Sequence, residues 1–535
     1  MAESTTSALL VLRAADGGSE WRQRMEAADG GRNMIRNDRN TEDRKEKGTE
    51  EGAPISHVLA SPGMQSESAR MMEYENENDY VKELAVQAEP DFPHEKRAVS
   101  DVAPKPVVLR SFTDVRTQSD FLHMFRDRYE RLSGILRHRA RGAVQIRALM
   151  NKTSNGRGGR RIRTDSRDVG EEVSVIGMVS SMRKTAKGNT IVEIEDMTGY
   201  LPVILRQNLA ENIIEDEVIC VSGHILESGY LLANSVIRPD VPIIRHDRPH
   251  TASDHKVERG NYENKEQAEN EISGSPAVAV FISDIHAGSR TFMEDAWCSF
   301  IDWIRENAAA MNIAYLCVAG DIVDGIGVYP EQERDLELRD VEEQYALVAS
   351  YLKRLPSSIH IVLSPGNHDA VRNAEPQPPL PQHIQKMFPQ NTIFVSNPAY
   401  IIMGGRTVLI YHGQSYDDFI SAIPRLKYDK PEAVMIEMLK RRHVAPIYGR
   451  SVSVFPSMHD YGVIEPIPDI MHCGHTHTVG ITSYRHVLLI NSGTWQSQTS
   501  YQKKRGISPV TCRATLVNLA EMRVKMQIFT DAPVS

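Results

Sequence analysis

The sequence predicts an α/β protein: a small closed β-barrel, then a layered α/β domain, behind an N-terminal region that is largely disordered. Three observations predict it. Five apolar strand-like runs in the C-terminal half each end at once in a cluster of Asp, Asn and His. Helical patterns at Ala296 to Asn307 and Leu338 to Leu355 separate the first three of these runs, the alternation of a layered α/β domain. Just before them, five short strand patterns with turn signals between them fill roughly 70 residues. At 535 residues the chain is too long for one average domain. Its apolar runs fall well short of the roughly 18 residues that cross a bilayer, and no leader pattern follows Met1, so no membrane association is expected. Cys220, Cys298, Cys317, Cys473 and Cys512 are scattered and never form C-x-x-C, the usage of reduced thiols in a cytoplasmic protein.

Residues 1–118 read as a disordered or tethering region. The first hundred carry a net charge of −7 and few sustained apolar patterns. Residues 119–170 read as an amphipathic helix and a basic linker, and the sign of the charge reverses to +9 over 101–170. Ser119 caps a pattern in which Phe121, Leu122, Phe125, Tyr129 and Leu132 recur at helical spacing, to about Arg139. The Gly/Arg run Asn155 to Arg163 is either a solvated linker or a non-specific phosphate contact.

Residues 171–244 hold the barrel. Its strands are expected at Val173 to Val179, Thr190 to Glu195, Leu201 to Leu205, Glu217 to Gly223 and Tyr230 to Ile237. Five strands in so short a span fit a barrel of the OB type. Tyr200 and Tyr230 are its only aromatic residues, which favours a protein–protein module over a groove that stacks bases. Residues 245–274 are a polar linker, and residues 275–535 form the catalytic half.

The five clusters carry the chemistry. The first is Phe281-Ile-Ser-Asp-Ile-His286, where the two-residue spacing in a strand puts Asp284 and His286 on one face. The second ends in Gly320-Asp-Ile-Val-Asp324, the third in Gly366-Asn-His-Asp369, the fourth in His412-Gly413 and the fifth in Gly474-His-Thr-His477. A glycine before Asp321, Asn367 and His475 lets the backbone turn sharply out of a strand. A dinuclear site needs ligands from several loops and one carboxylate bridging ions about 3.5–4 Å apart. Mixed imidazole nitrogen and carboxylate or amide oxygen suits Mn, Fe or Zn better than Ca or Mg.

The set D-x-H, G-D-x-x-D, G-N-H-D, H-G and G-H-x-H, complete and in order, resembles the calcineurin-like metallophosphoesterases over about residues 277–500. The resemblance implies one ion on Asp284, His286, Asp321 and His477, and a second on Asp321, Asn367, His412 and His475. It implies that His368 is the general acid, oriented by Asp369. Asp324 looks like a support for the ligands, and the resemblance assigns no role to His472. A narrower resemblance lies in Gly366 to Pro379, Tyr411 to Asp418, Lys440 to Gly449 and Asn491 to Ser500, which look like the small subunits of the archaeal family-D DNA polymerase. That family implies a 3′→5′ exonuclease that proofreads for a large polymerising subunit in a heterodimer. Its substrate is DNA with a 3′ end, and a sliding clamp is reached through the complex. The implied cofactors are two divalent ions, Mn²⁺ first with Fe or Zn as alternatives, and Mg²⁺ for the polymerising partner. Related B-subunits of eukaryotic replicative polymerases have lost the ligands and act as scaffolds, which is the competing reading. Here every ligand position is filled. Residues 171–535 carry a net charge of about −11, so long-range attraction of DNA must come from elsewhere.

Overall fold

The computed structural model describes residues 103–112, 121–155, 172–186, 188–243, 277–506 and 508–529. The first 102 residues, the Ser119 cap, the Gly/Arg run from 156 and the linker 245–274 lie outside the described residues. Within the span assigned to the tether, Val107–Ser111 forms a strand, β1. Helix α1, Phe121–Arg139, follows the expected spacing and buries Met124, Phe125, Tyr129, Leu132 and Leu136 on one face. A second helix, α2 (Ile146–Asn155), was not expected from the sequence. It caps the barrel with buried Ile146 and Leu149, and its Ile146 N–H donates to Asp196 Oδ2 at 2.9 Å.

Strands β2 (Val173–Lys184), β3 (Thr190–Asp196), β4 (Gly199–Leu205), β5 (Val218–Ile225) and β6 (Leu231–Ile237) close in the order β2-β3-β4-β6-β5. Burial alternates along β3 and β4, so every second side chain enters the barrel core around Val192, Ile194, Leu201 and Val203. Closure leaves no free edge among these strands.

The C-terminal half is built on β7 (Val278–Ile282), α3 (Glu294–Met311), β8 (Ile313–Ala319), α4 (Val341–Leu352), β9 (His360–Ser364), β10 (Thr392–Phe394), β11 (Ala399–Met403), β12 (Arg406–Ile410), α5 (Tyr416–Ala422), α6 (Pro431–Arg441), β13 (Ile470–Cys473), β14 (Gly480–Tyr484), β15 (Val487–Asn491), α7 (Ser500–Arg505), β16 (Arg513–Asn518) and β17 (Arg523–Ile528). They make two six-stranded sheets, β1-β11-β12-β13-β15-β14 and β10-β9-β8-β7-β16-β17. Phe281, Tyr315 and Cys317 of one sheet share a buried cluster with Ile401, Ile410 and Ile490 of the other. Trp297 and Ile301 of α3 and Tyr345 of α4 pack with Val280 and Leu316. Phe419 of α5 and Met435 of α6 pack with Leu409 and Met471. Strands β7, β8 and β9 run parallel, as do β12 and β13. All five clusters follow the carboxyl ends of these strands. Among the described residues no helix is long and apolar enough to cross a membrane.

The barrel is fastened to this half by buried charge. Arg128 of α1, 1% exposed, donates through Nε to Asp460 Oδ2 at 2.6 Å and through Nη1 to the Pro446 and Asp216 carbonyls at 2.6 and 3.4 Å. Arg441 of α6 pairs with Glu217, the residue before β5, at 3.0 Å, both fully buried. Asp460 is held well below the usual carboxylate range: burial alone would raise it, and the charge of Arg128 and the contact with His443 outweigh that. Arg128→Ala strands a buried carboxylate and two carbonyls, so a loss of about 3 kcal/mol is expected, read as a lower urea midpoint at unchanged slope. The barrel is therefore no detachable module. Cutting it out would take Glu217 from the buried Arg441 and the Asp216 carbonyl from Arg128.

Candidate metal centre

The seven expected ligands converge. Five of them sit in left-handed backbone: Asp284 (φ 52°), His286 (51°), Asp321 (49°), His475 (70°) and His477 (57°). Among the described residues only thirteen non-glycine residues have positive φ, and each such residue costs on the order of 1 kcal/mol. Concentrating them here fits a site that the surrounding sheets hold in place. The strand argument for Asp284 and His286 gives way to this one. Strand β7 ends at Ile282, and both side chains lie beyond it, aimed by two left-handed residues rather than by the pleat. The three glycines also divide. Gly320 has the positive φ of a sharp turn, 86°. At Gly366 and Gly474 the constraint is close approach, since a Cβ would fall 2.2 Å from Asp321 Oδ1 and 2.4 Å from Asp284 Oδ2.

The donor atoms form two groups that share Asp321. In the first, His477 Nε2 lies 3.0 Å from His286 Nε2 and 3.5 Å from Asp284 Oδ1, and His286 Nε2 lies 3.7 Å from Asp321 Oδ2. In the second, His412 Nε2 lies 3.3 Å from Asp321 Oδ2 and 3.0 Å from Asn367 Oδ1, which is 3.1 Å from His475 Nδ1. Asp284, His286, Asp321 and His412 are each at most 2% exposed. The triads Asp284/His286/His477 and Asp284/Asp321/His412 are each compact enough to hold a cation. Side chains that take N/O-ligated divalent metals, buried together with no cationic Lys or Arg among them, fit such an ion.

Supports fix the far side of the rings. His286 Nδ1 meets Asp324 Oδ1 at 3.0 Å, the carboxylate–histidine arrangement that raises ligand basicity. Asp324 in turn accepts from Gln332 and Gln496, both at 3.1 Å. His412 Nδ1–H donates to the Ala319 carbonyl at 2.9 Å, and the Gln502 amide closes on His477 Nδ1 at 2.7 Å. Asn397 accepts the His412 N–H at 2.8 Å and donates to Gln377, whose amide also holds the Gly366 carbonyl. Gln332, Gln377, Gln496, Gln502 and Asn397 follow no metal-ligand spacing, and sequence reasoning did not single them out. Only Asp324 was signalled, by its place in G-D-x-x-D.

His368 stands beside the donors. Its backbone N–H donates to Asp321 Oδ1 at 2.9 Å, and its ring lies 4.7 Å from that of His286. Its Nδ1–H donates to the Asp324 carbonyl at 2.8 Å. That contact, not Asp369, fixes the ring. Asp369 accepts from Gly366 N–H, Ile322 N–H and Tyr345 Oη at 2.8, 3.3 and 2.8 Å, so it shapes the loop that carries Asn367 and His368. His472 is a satisfied core histidine against Ser492 Oγ (2.9 Å) and Cys317 Sγ (3.5 Å), and burial pushes it down to about 3.

The charges balance within the cluster. Burial alone would raise Asp321, but the charges of His412, His368 and His286 hold it well below the usual range. Burial works the other way on His412 and His286, and their carboxylate neighbours overturn it, lifting them to about 10 and about 9. Both rings are thus protonated near pH 7 in the metal-free chain, and a cation must displace those protons. Uptake is expected to release about two protons per chain near pH 7 and fewer as the pH approaches 9. Titration calorimetry in buffers of different ionisation enthalpy reads that number.

The family model for the B subunits of DNA polymerases alpha and epsilon matches residues 279–480, the span from β7 to the start of β14. The DNA polymerase II small subunit of Archaeoglobus fulgidus is 40% identical over 78% of this chain and 80% of its own. That of Methanothermobacter thermautotrophicus is 36% identical over 82% and 84%, and that of Halobacterium salinarum 36% over 77% and 75%. An archaeal phosphodiesterase of solved structure aligns with 47% of the chain at 12% identity and a TM-score of 0.25, too low to bear on the fold. Identity of this depth over four fifths of a relative's length places the chain in the family of archaeal DNA polymerase II small subunits.

Proposed function

We propose that the chain is the proofreading 3′→5′ exonuclease of a heterodimeric replicative DNA polymerase, acting with two divalent cations. The observation that carries this is the completeness of the donor set: six side chains meet around Asp321, the seven together come from five strand ends, and no position has been lost. The two-sheet half would then be a calcineurin-like phosphoesterase, and the β2-β3-β4-β6-β5 barrel an OB fold. Asp284, His286, Asp321 and His477 would hold one cation; Asp321, Asn367, His412 and His475 the other. Mn²⁺ is the first candidate, with Fe or Zn also suited to the donors. When bound, such ions neutralise charge on the phosphodiester and bring a water's pKa close to neutrality.

The remaining work falls to the chain's own groups. Asp324 keeps His286 Nδ1 occupied, so only Nε2 faces the centre. The hydrogen bond from His368 Nδ1–H to the Asp324 carbonyl leaves Nε2 to carry a proton to the departing 3′ oxygen, once the negative phosphodiester offsets the burial that lowers this ring. Asp369 and Tyr345 hold the intervening loop still. Repeated at a single-stranded end, this releases 5′-mononucleotides. A large polymerising subunit, with its own Mg²⁺, would cover the barrel and deliver the frayed end, with a sliding clamp reached through it. The negative balance of residues 171–535 makes such delivery necessary.

The competing scaffold reading differs in two measurements. Metal analysis of the full-length chain after Mn²⁺ loading should give two ions per chain, and hydrolysis of bis(p-nitrophenyl) phosphate should follow the loading. No retained metal and no hydrolysis would leave the scaffold.

A further inference from the structure

Beyond Asp324 the second cluster continues as Gly325-Ile-Gly-Val-Tyr329, and this loop is built like a tool. Ile326, between Gly325 (φ 72°) and Gly327 (φ 74°), is 47% exposed. Both ends are clamped. Gly325 N–H donates to Gln344 Oε1 at 2.9 Å, and the Gln344 amide returns a bond to the Gly325 carbonyl at 3.3 Å. Val328 N–H donates to Gln332 Oε1 at 2.9 Å, while the Gln332 amide holds the Asp324 carbonyl at 2.8 Å. The loop leans on the loop of His368: a Cβ at Gly325 would lie 2.2 Å from the His368 carbonyl oxygen. The half-buried ring of Tyr329 lies 6.4 Å from the His368 ring, with its hydroxyl anchored on Asp335 at 3.2 Å. Single exposed apolar side chains are ordinary on protein surfaces. This one is distinguished by its loop, clamped at both ends and carrying at Tyr329 a ring 6.4 Å from that of the proposed general acid.

We infer that Ile326 and Tyr329 seat the penultimate nucleobase of the DNA strand, an inference that rests on the exonuclease reading above. The chemistry decides which base it is. Cleavage breaks the bond between phosphorus and the 3′ oxygen. A water oxygen goes to phosphorus and its proton to solvent, while the 3′ oxygen takes a proton from His368 Nε2, which solvent then restores. That oxygen stays on the shortened strand, so the nucleotide next to His368 becomes the new 3′ end. The released nucleotide lies on the far side of the phosphorus. For its base to rest on Ile326 and Tyr329, the penultimate nucleotide must leave its duplex partner. A paired end would have to melt by two nucleotides, which restricts entry to frayed or mismatched ends.

The test uses single-stranded oligonucleotides with an abasic site at the terminal or the penultimate position, Mn²⁺, and the full-length chain alone and co-purified with its large subunit. A penultimate abasic site should slow the first cleavage about tenfold, within the range lost when a base–side-chain contact is removed, and a terminal one should slow it less. Ile326→Asp and Tyr329→Ala should slow intact DNA by a similar factor but slow penultimate-abasic DNA no further. Ile326→Leu should keep the base dependence. A readout without turnover is 2-aminopurine at the penultimate position, in chelator: its fluorescence should respond to binding by the parent chain and not by Ile326→Asp. The inference is overturned if the penultimate abasic site has no effect, or if the variants slow intact and abasic DNA alike, as a folding defect would. If the parent chain with bound cations leaves all DNA uncut, the exonuclease reading fails first and takes this inference with it.

Discussion

Asp321→Asn is expected to leave a folded chain that has lost cations from both donor groups and about a thousandfold or more of its activity on DNA. The Asp321 carboxylate faces both groups, 3.7 Å from His286 Nε2 and 3.3 Å from His412 Nε2. Its other oxygen accepts the His368 N–H. An amide of the same shape keeps the volume but removes the negative charge that two cations would share. It also takes away the main lift on His412 and a lesser part of that on His286, whose first support is Asp324, so both rings should titrate lower, His412 the more. Metal analysis and single-turnover cleavage read the two effects separately. Full metal occupancy with near-parental activity would remove the basis for a shared carboxylate.

His368→Ala is the complementary case, in which the cations stay and turnover goes. The His368 ring touches the Asp324 carbonyl and lies against His286, and it is not among the seven donors. Loss of a positioned general acid typically costs about 10²–10⁴-fold. A nitrophenolate departs without a proton, so hydrolysis of bis(p-nitrophenyl) phosphate should fall much less than cleavage of DNA. Equal losses on both substrates, with both cations retained, would remove the acid role.

The donors were legible because each sits within a few residues of the end of an apolar strand, and short-range signals survive in a sequence. What holds them was not. Asp369 stands next to His368 in the chain, which suggested that it orients that ring, yet its hydroxyl partner is Tyr345 on α4, 24 residues away. His472 shares a motif with His475 and His477 but lies on β13, facing Cys317 and Ser492 rather than the centre. The strand β1 is five residues long and finds its partner, β11, nearly 300 residues later, a pairing that no local pattern encodes. Arg128 lies on the buried face of α1 where helical periodicity expects an apolar residue; its partners are a carboxylate and two carbonyls from distant loops. Local propensity fixes where strands end. Long-range hydrogen bonding fixes what the residues there do.

The central claim is that this donor set makes a nuclease that works from the 3′ end. The direct measurement follows a 5′-labelled primer–template with a matched or mismatched 3′ terminus, incubated with Mn²⁺ and the full-length chain assembled with its large subunit, beside the same assembly carrying Asp321→Asn. A ladder is expected that shortens one nucleotide at a time from the 3′ end, faster on the mismatch, absent with Asp321→Asn and abolished by chelator. An intact primer in the presence of retained metal, or a ladder unchanged by Asp321→Asn, would contradict the claim.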